Sequence, residues 1–288
     1  PGLSHGHVPH GIPRGSLIER DRLSEAAYAG REFDVVVAGS IHSREELAVL
    51  RRAVPTQAQP WIDEIVALMA AEPWMPFEQA MDLVMGSRGV ITGAWGTMSA
   101  VWRVVTAELN REQRTRMVSG LQGLDVAVFG GSAWGEQCAG SIRYAGQCAY
   151  SELPRALARG RACLAWGPTQ FEHTFSERLL LSMAAGCASV ADDRYMIGRH
   201  FGFDGADASV RVFDARQPGA CRAAFEAVLS DPAAMVALAR QGRAAVEAGH
   251  LWSHRVDSIA SLGLGAIAEA ESRPPSLVRP ASAERRSA

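Results

Sequence analysis

The chain has 288 residues, of which 48% are hydrophobic, with a formal net charge of -2 and a pI near 6.5. This length suits one large or two modest domains, and the near-neutral charge argues against a dedicated nucleic-acid-binding or membrane-surface protein. All 29 basic residues are arginine, and the absence of lysine excludes a Schiff-base or pyridoxal-phosphate enzyme and a P-loop. Anionic ligands would therefore be bound by arginine side chains, backbone N–H groups or helix N-termini.

The first 30 residues are predicted to be rich in loops, with a short charged helix around Leu17–Ala29. Three histidines, His5, His7 and His10, lie among glycines and prolines and suggest a metal site. Their spacing lacks the i,i+4 geometry of a helical zinc site, and no further cluster of ligands follows, so we predict no metal.

The apolar run Phe33–Ala38 predicts the first strand, which is buried on both faces. It ends at Gly39-Ser40, and a helix is predicted from Arg44 onward. A strand, a turn of small residues and a helix are the opening unit of a doubly wound α/β fold.

Residues 55–118 are predicted to be mainly helical, with apolar residues at helical spacing between glycines and prolines. Four tryptophans lie in this stretch, and tryptophans in helices usually pack in a core. We therefore predict core positions for Trp61, Trp74, Trp95 and Trp102.

Strands and helices then alternate to the end of the fold. Strands are predicted at Leu124–Phe129, Ala162–Ala165, Ala188–Ala191 and Val210–Phe213, and helices at Leu153–Arg159, Ser176–Ala185, Gly219–Leu229 and Pro232–Ala248. Ser151 is a predicted N-cap, and Gly186 follows a helix at the C′ position. The sequence predicts an α/β, Rossmann-like doubly wound parallel sheet with a helical insertion and a disordered tail over 266–288.

The five cysteines form no C-x-x-C pair, which indicates reduced and mostly buried thiols in a cytoplasmic protein. The longest apolar stretch, Leu179–Ala191, is too short to cross a bilayer, and we predict no transmembrane segment.

Three predicted loops at the carboxyl ends of strands are rich in small or polar residues. They are Gly39–Arg44, Gly130–Ser132 and His173–Arg178. Ligands of open parallel sheets bind at this edge, and each loop could present backbone N–H groups to a phosphate. Each could equally be an ordinary turn before a capped helix. There is no trustworthy G-x-G-x-x-G and no G-x-S-x-G, which argues against a nicotinamide cofactor and a nucleophile-elbow hydrolase.

The stretch Gly146–Asp192, GQCAYSELPRALARGRACLAWGPTQFEHTFSERLLLSMAAGCASVAD, resembles the nucleotide-binding half of GT-B glycosyltransferases. The similarity is strongest to the spore-maturation-protein-like branch of glycosyltransferase family one. FDVVVAGSIHSREEL, which starts at Phe33, and GHLWSHRVDSI, over Gly249–Ile259, resemble the family's first C-terminal-domain strand and its closing helix.

The resemblance implies a GT-B C-terminal, donor-binding domain over 31–265 and an interdomain segment over 1–30. A complete enzyme of this kind has a further N-terminal domain for the acceptor, which this chain is expected to lack. The expected substrate is a nucleoside-diphosphate sugar, with no cofactor and no obligatory metal, and with an unidentified glycan, lipid or protein as acceptor.

Ten residues are the candidates for binding this donor. They are Gly39, Ser40, Arg44, Gly130, Tyr150, His173, Thr174, Ser176, Glu177 and Arg178. Arg178 matches an arginine of the closer branch and would contact the diphosphate, although a plain surface arginine is an alternative. His173 is the only catalytic candidate, and a structural role is equally open to it.

The family's E-x7-E motif is absent, because its two positions hold His173 and Leu181. Leu181 cannot accept a hydrogen bond from a ribose hydroxyl, so Glu177 becomes a candidate for that contact. The departure also supports a second hypothesis, a GT-B-like module that binds nucleotide or sugar without catalysis. A non-hydrolysing sugar-nucleotide epimerase shares the architecture, but no convincing acidic pair is present.

Overall fold

Six parallel strands form one sheet in the computed structural model, which describes residues 9–86, 95–170, 173–203, 205, 207–217 and 219–272. The strands are β1 (Phe33–Ala38), β2 (Val126–Phe129), β3 (Ile142–Gly146), β4 (Gly160–Leu164), β5 (Ala188–Asp192) and β6 (Arg211–Phe213). Their order across the sheet is β3-β2-β1-β4-β5-β6, and every neighbouring pair is parallel. This is the order of a Rossmann-like doubly wound sheet, so the predicted fold class is confirmed.

Helices pack on both faces of this sheet, and others form an insertion. The α-helices of the described residues are α1 (Glu25–Ala29), α2 (Arg44–Arg52), α3 (Gln59–Ala71), α4 (Phe77–Gly86), α5 (Trp95–Ser119), α6 (Leu153–Leu157), α7 (Glu177–Ala184), α8 (Tyr195–His200), α9 (Ala220–Ser230), α10 (Pro232–Gly249) and α11 (Trp252–Ser272). In β1, Val35 and Val37 pack into the core on one face, and Val36 packs into the core on the other. A strand covered on both faces is mainly apolar, which is why five of its six residues are apolar. The exception, Asp34, is partly exposed near the start of the strand and pairs with Arg161.

The helical insertion has a hydrophobic core of its own. It is formed by α3, α4 and the first half of α5, and its fully buried members include Ile62, Ile65 and Val104. Arg51 of α2 makes salt bridges with Glu108 of α5 and with Asp63 of α3, which fasten the insertion beside the sheet.

The prediction that the tryptophans lie in a core is correct only for Trp61, which is 9% exposed. Trp95 is 86% exposed and Trp102 is 40% exposed, and Trp74 is partly buried. The insertion packs around its own, separate hydrophobic core. The helical spacing of apolar residues in the sequence does not show which side of each helix faces that core.

The predicted helix at Leu17–Ala29 is shorter in the structure and begins only at Glu25. The side chain of Ser24 caps it by accepting a hydrogen bond from Ala27 N over 3.3 Å. Ahead of the cap, Ile18 N donates to a carbonyl at the end of α7. After it, Arg20–Arg22 forms a 3-10 turn and Ser24 has an extended backbone, so the α-helix begins only beyond Ser24.

Ser151 is not the N-cap of α6, because it lies within a 3-10 turn and Glu152 occupies the cap position. The helix also ends at Leu157, before Arg159. The sequence pattern missed β3, whose residues alternate between buried and partly exposed at the sheet edge, and it missed the six-residue α8. By contrast, Gly186 follows α7 with a φ of +68°, which confirms its C′ position.

Helix α11 continues to Ser272, so the first part of the segment predicted as a disordered tail, 266–272, is helical. The rest of that segment and the histidines His5 and His7 lie outside the described residues. Among the residues that the structure describes, no helix combines the length and apolarity needed to cross a membrane.

Candidate functional site

The backbones of β1 and β2 approach each other closely at their carboxyl ends. Gly39 N donates to Phe129 O over 2.9 Å, and Gly130 N donates to Gly146 O over 3.1 Å. A Cβ atom on Gly130 would lie only 2.2 Å from the carbonyl oxygen of Gly39, a separation that real side chains do not reach. Glycine is therefore required at position 130 where the two strand ends meet, and neither Gly39 nor Gly130 places a side chain at this edge.

The edge opens into a cavity of about 200 Å³, which we call the strand-end cavity. Its lining includes six of the predicted donor-binding residues, Gly39, Ser40, Gly130, Tyr150, Glu177 and Arg178. The other lining residues are Ala38, Phe129, Gln147, Cys148, Leu153 and Leu181. The fold thus brings parts of all three predicted loops to one place.

Four predicted residues do not line this cavity. Arg44 is exposed at the first position of α2, and His173 is exposed while its carbonyl accepts a hydrogen bond from Met196 N over 2.9 Å. Thr174 is partly buried. The fourth, Ser176, is buried at the N-cap of α7.

Ser176 has a hydroxyl that is buried and has no hydrogen-bond partner among the described residues. It does not cap α7 through its side chain, although it occupies the cap position. A buried polar atom without a partner carries a desolvation cost, and it retains the capacity to bind a ligand or water.

Two guanidinium groups lie side by side above Gly39. Measured from the position of a Cβ on Gly39, Arg114 Nη1 is 3.4 Å away and Arg178 Nε is 3.7 Å away. Burial, with the nearby charge of Arg178, lowers the pKa of Arg114 to about 9, and burial also lowers the pKa of Arg178. Neither side chain forms a salt bridge with a described residue. The charge of Glu177 opposes this lowering of the pKa of Arg178 without forming a salt bridge. Two adjacent cations that lack a salt-bridge partner are an arrangement that an anion would stabilise.

The loop that carries these contacts is held by hydrogen bonds. Arg114 donates to the carbonyl of Ser40, and Ser40 Oγ accepts from Gly131 N over 3.2 Å. Trp134 Nε1 donates to the carbonyl of Gly39 over 2.7 Å. These bonds fix the loop before any ligand binds, so little ordering would be needed on binding.

Glu177 supplies the carboxylate of the strand-end cavity, and its Oε2 lies 3.5 Å from Nδ1 of His10. Leu181, one turn further along α7, also lines the cavity but is fully buried in the core. The side chain available for a hydroxyl group on this helix is therefore that of Glu177.

A buried ion pair supports the neighbouring loop. Arg194 pairs with Asp192 at the end of β5 and donates to the carbonyls of Gly167 and Pro168 over 2.9 and 3.2 Å. Asp192 Oδ1 also accepts from Gly167 N over 3.0 Å. The loop after β4 is thus fixed beside the start of α7.

All five cysteines are free, and Cys163, Cys187 and Cys221 are buried. Within the described part of the chain, no group of three or more histidine, cysteine, aspartate or glutamate side chains is arranged to hold a metal ion.

Arg114 is not among the residues predicted from the sequence. It lies inside the 25-residue helix α5, where an arginine is most often solvated, and its approach to Gly39 depends on how the insertion packs on the sheet. The only available signal is its i,i+3 spacing from Arg111, which donates to the carbonyl of His42 in the same loop.

Comparison with known proteins gives one family match. A family model described as glycosyl transferase-like matches residues 111–261. No curated protein sequence matches the chain. Among solved structures, the chain is similar to sucrose-phosphate synthase from Thermosynechococcus elongatus, with 14% identity and a TM-score of 0.49. The alignment covers 91% of this chain and 52% of the other, so the chain spans about half the length of that structure.

Proposed function

The chain belongs to the glycosyl transferase-like family, and from this premise we propose that it binds a nucleoside-diphosphate sugar and takes part in transfer of the sugar to an acceptor. The observation that carries the proposal is the pair of guanidinium groups, Arg114 and Arg178, above a glycine-lined strand end. In this proposal the pair binds the diphosphate of the donor.

The chemistry of transfer explains why cations are needed there. When the bond between the anomeric carbon and the phosphate oxygen breaks, negative charge accumulates on the departing diphosphate. Arginine forks that are already positioned stabilise such charge in the transition state without reorganisation. We propose that Arg114 and Arg178 perform this task, with the N-terminal end of α7 adding a favourable dipole. No step of the proposal requires a metal ion.

The rest of the strand-end cavity suits the nucleoside. Tyr150 and Leu153 offer apolar surface to a base, and Glu177 offers a carboxylate to the ribose hydroxyls. We propose that Glu177 replaces the ribose contact that Leu181 cannot make. The resemblance to the spore-maturation-protein-like branch remains a prediction of the sequence and is not needed for this assignment.

Binding of UDP and GDP, measured by isothermal titration calorimetry, tests the proposal. We expect Arg178→Gln and Arg114→Gln each to weaken the better nucleotide by about 10- to 100-fold, because each removes a charge-assisted hydrogen bond. Arg52→Gln is the matched control, since Arg52 is exposed at the end of α2 and outside both the cavity and its walls. If neither nucleotide binds the wild-type chain, or if all three variants bind alike, the proposal is wrong.

The second candidate function is a module that binds the nucleotide sugar without transferring it. The observation in its favour is Leu181, an apolar and buried residue where the family resemblance places a carboxylate. Release of nucleoside diphosphate from UDP- and GDP-sugars distinguishes the two candidates when measured on a chain that includes the whole open reading frame. Nucleotide affinity without any release would favour the module.

A further inference from the structure

A second cavity adjoins the strand-end cavity, and we call it the insertion cavity. It measures about 340 Å³, within the usual range for small-molecule sites, and lies between α5 and the loop after β1. Ser40 and Arg178 line both cavities, so the two spaces meet at these residues, and Arg114 lies on the side of the insertion cavity.

The insertion cavity is strongly cationic. Arg103, Arg114 and Arg178 all line it, and none of the three forms a salt bridge with a residue that the structure describes. No aspartate or glutamate is among its described lining residues. His42 also lines it, and Nδ1 of His42 lies 3.5 Å from the Glu46 carboxylate outside. If Arg114 and Arg178 hold the diphosphate, Arg103 remains as a separate cation for a second anionic group.

The other lining residues suit a polar ring. Trp102 is 40% exposed and presents an indole face with an N–H donor. Asn110 donates to Gln170 Oε1 over 3.4 Å, and its own oxygen accepts from Thr169 N over 3.1 Å. These bonds hold the Asn110 amide in place, and the Gln170 amide nitrogen has no hydrogen-bond partner among the described residues. The indole can pack against the C–H groups of a sugar ring, and the amide groups can form hydrogen bonds with its hydroxyl groups.

This cavity is only partly built from the matched family segment, which supplies Arg114, Pro168, Gln170 and Arg178. The family model begins at Arg111, whereas Trp102, Arg103 and Asn110 precede it. The helix that supplies them is held in place by the separate core of the insertion.

We propose that the insertion cavity binds an anionic sugar, a sugar ring that carries a phosphate or a carboxylate, as the acceptor of the transfer. The inference rests on the proposed function, because the acceptor must lie next to the donor. It assigns to the insertion of this chain an acceptor contact that the family resemblance would assign to an N-terminal domain. A hydroxyl oxygen of the anionic sugar attacks the anomeric carbon of the donor. The bond from that carbon to the diphosphate breaks, the diphosphate leaves with the electron pair, and the hydroxyl proton passes to solvent. Arg103 binds the phosphate or carboxylate, and Trp102 packs against the ring.

The test is calorimetric binding of glucose 6-phosphate, glucuronate and glucose, each with and without saturating UDP or GDP. We expect at least one anionic sugar to bind more than tenfold tighter than glucose, and the two anionic probes distinguish phosphate from carboxylate. Arg103→Gln and Trp102→Ala should each weaken that binding by tenfold or more while leaving nucleotide affinity unchanged.

Two variants on the same helix serve as matched controls. Trp95 is 86% exposed and Arg116 is exposed, and neither lines the insertion cavity. Trp95→Ala and Arg116→Gln should bind the anionic sugar as the wild type does. Circular dichroism and the melting temperature establish that each variant is folded.

The outcomes separate this inference from the proposed function. Nucleotide binding without anionic-sugar binding overturns the inference and leaves the proposed function standing. Anionic-sugar binding that depends on Arg103, in a chain that binds no nucleotide, supports the site and contradicts the donor assignment. Equal binding of glucose overturns the anionic requirement. The sugar phosphate could also occupy the diphosphate site. In that case its binding would be abolished by Arg178→Gln, unaffected by Arg103→Gln and competitive with the nucleotide, and this result would also overturn the inference.

Discussion

Arg194 and Arg178 are both largely removed from solvent, but only Arg194 is paired with a described carboxylate. This difference distinguishes an arginine with a structural role from one that is available to a ligand. Arg194 is 4% exposed and is neutralised by Asp192 and surrounded by carbonyl groups. Arg178 has no salt-bridge partner among the residues that the structure describes, and burial lowers its pKa although the charge of Glu177 acts to raise it. A charge that is desolvated without a partner destabilises the fold unless a ligand neutralises it.

Replacing Arg178 with methionine should therefore stabilise the ligand-free protein, by about 1 kcal/mol, because an uncompensated charge is removed while the side-chain volume is kept. Urea unfolding at neutral pH measures the effect. Arg194→Met is the matched comparison and should destabilise by about 3 kcal/mol or more, since it leaves Asp192 buried and unpaired. A loss of stability in Arg178→Met equal to that of Arg194→Met would show that Arg178 has a structural role.

At the scale of elements, a cluster of aromatic and imidazole rings joins α8, the start of α7 and the junction of α10 with α11. His250 stacks on Phe201 with ring centroids 4.7 Å apart, and it contacts Phe175 and His200 edge-on. Its Nδ1 is 2.6 Å from an Arg255 nitrogen, and because arginine can only donate, this ring nitrogen must be unprotonated. Burial, together with the charges of Arg255 and the neighbouring histidines, lowers the pKa of His250 to about 3.

This junction should lose stability as the pH falls below about 6.5. The unfolded chain protonates His250 near its ordinary pKa, whereas the folded chain does so only near pH 3, so the unfolded state binds more protons between these values. The free energy of unfolding should then fall by up to about 1.4 kcal/mol per pH unit from this group. Denaturant unfolding at pH 7 and pH 5 measures it. His250→Asn, which keeps an acceptor for Arg255, should show a smaller loss, and an equal loss in both proteins would contradict the assignment.

At the scale of the whole molecule, the net charge of -2 conceals an uneven distribution of charge. Three arginines without salt-bridge partners among the described residues line one cavity, whereas many others are paired on the surface. A cation cluster inside a cleft attracts anions even when the protein as a whole is slightly acidic.

Nucleotide binding should consequently weaken as salt is added. Raising NaCl from 50 to 500 mM should lower the affinity for UDP or GDP several-fold, because counterions screen the interaction between the guanidinium groups and the diphosphate. Calorimetric titrations across this range measure the slope. The slope should be shallower for Arg178→Gln, and an affinity that does not change with salt would argue that the guanidinium groups do not face the nucleotide.

The sequence was most informative for segments whose pattern of apolar residues directly reflects their burial in the fold. β1, β2 and β5 are mainly apolar because both faces of the sheet are covered, and their predicted positions are correct to within two residues. Gly39, Gly130 and Arg178 could be placed at one site because the carboxyl ends of parallel strands share an edge.

The sequence was least informative where long-range packing decides. Arg114, Trp102 and Arg103 belong to a helix whose pattern does not show which side meets the sheet. Trp95 and Trp102 are exposed although tryptophans in helices are usually packed, and β3 is an edge strand without the apolar run of the central strands. The donor-binding roles of the ten candidate residues remain predictions, and the binding experiments test that of Arg178.

Helix α5 gives the two cavities a fixed geometry. Its 25 residues form one continuous rod, and at about 1.5 Å per residue the backbone from Trp102 to Arg114 covers about 18 Å. Side chains at both ends of this interval line the insertion cavity, so the spacing between them is set by a rigid element and not by a loop. The helix therefore fixes the distance between Arg103 and the guanidinium pair. A ligand that contacts both is selected by its length as well as by its charge.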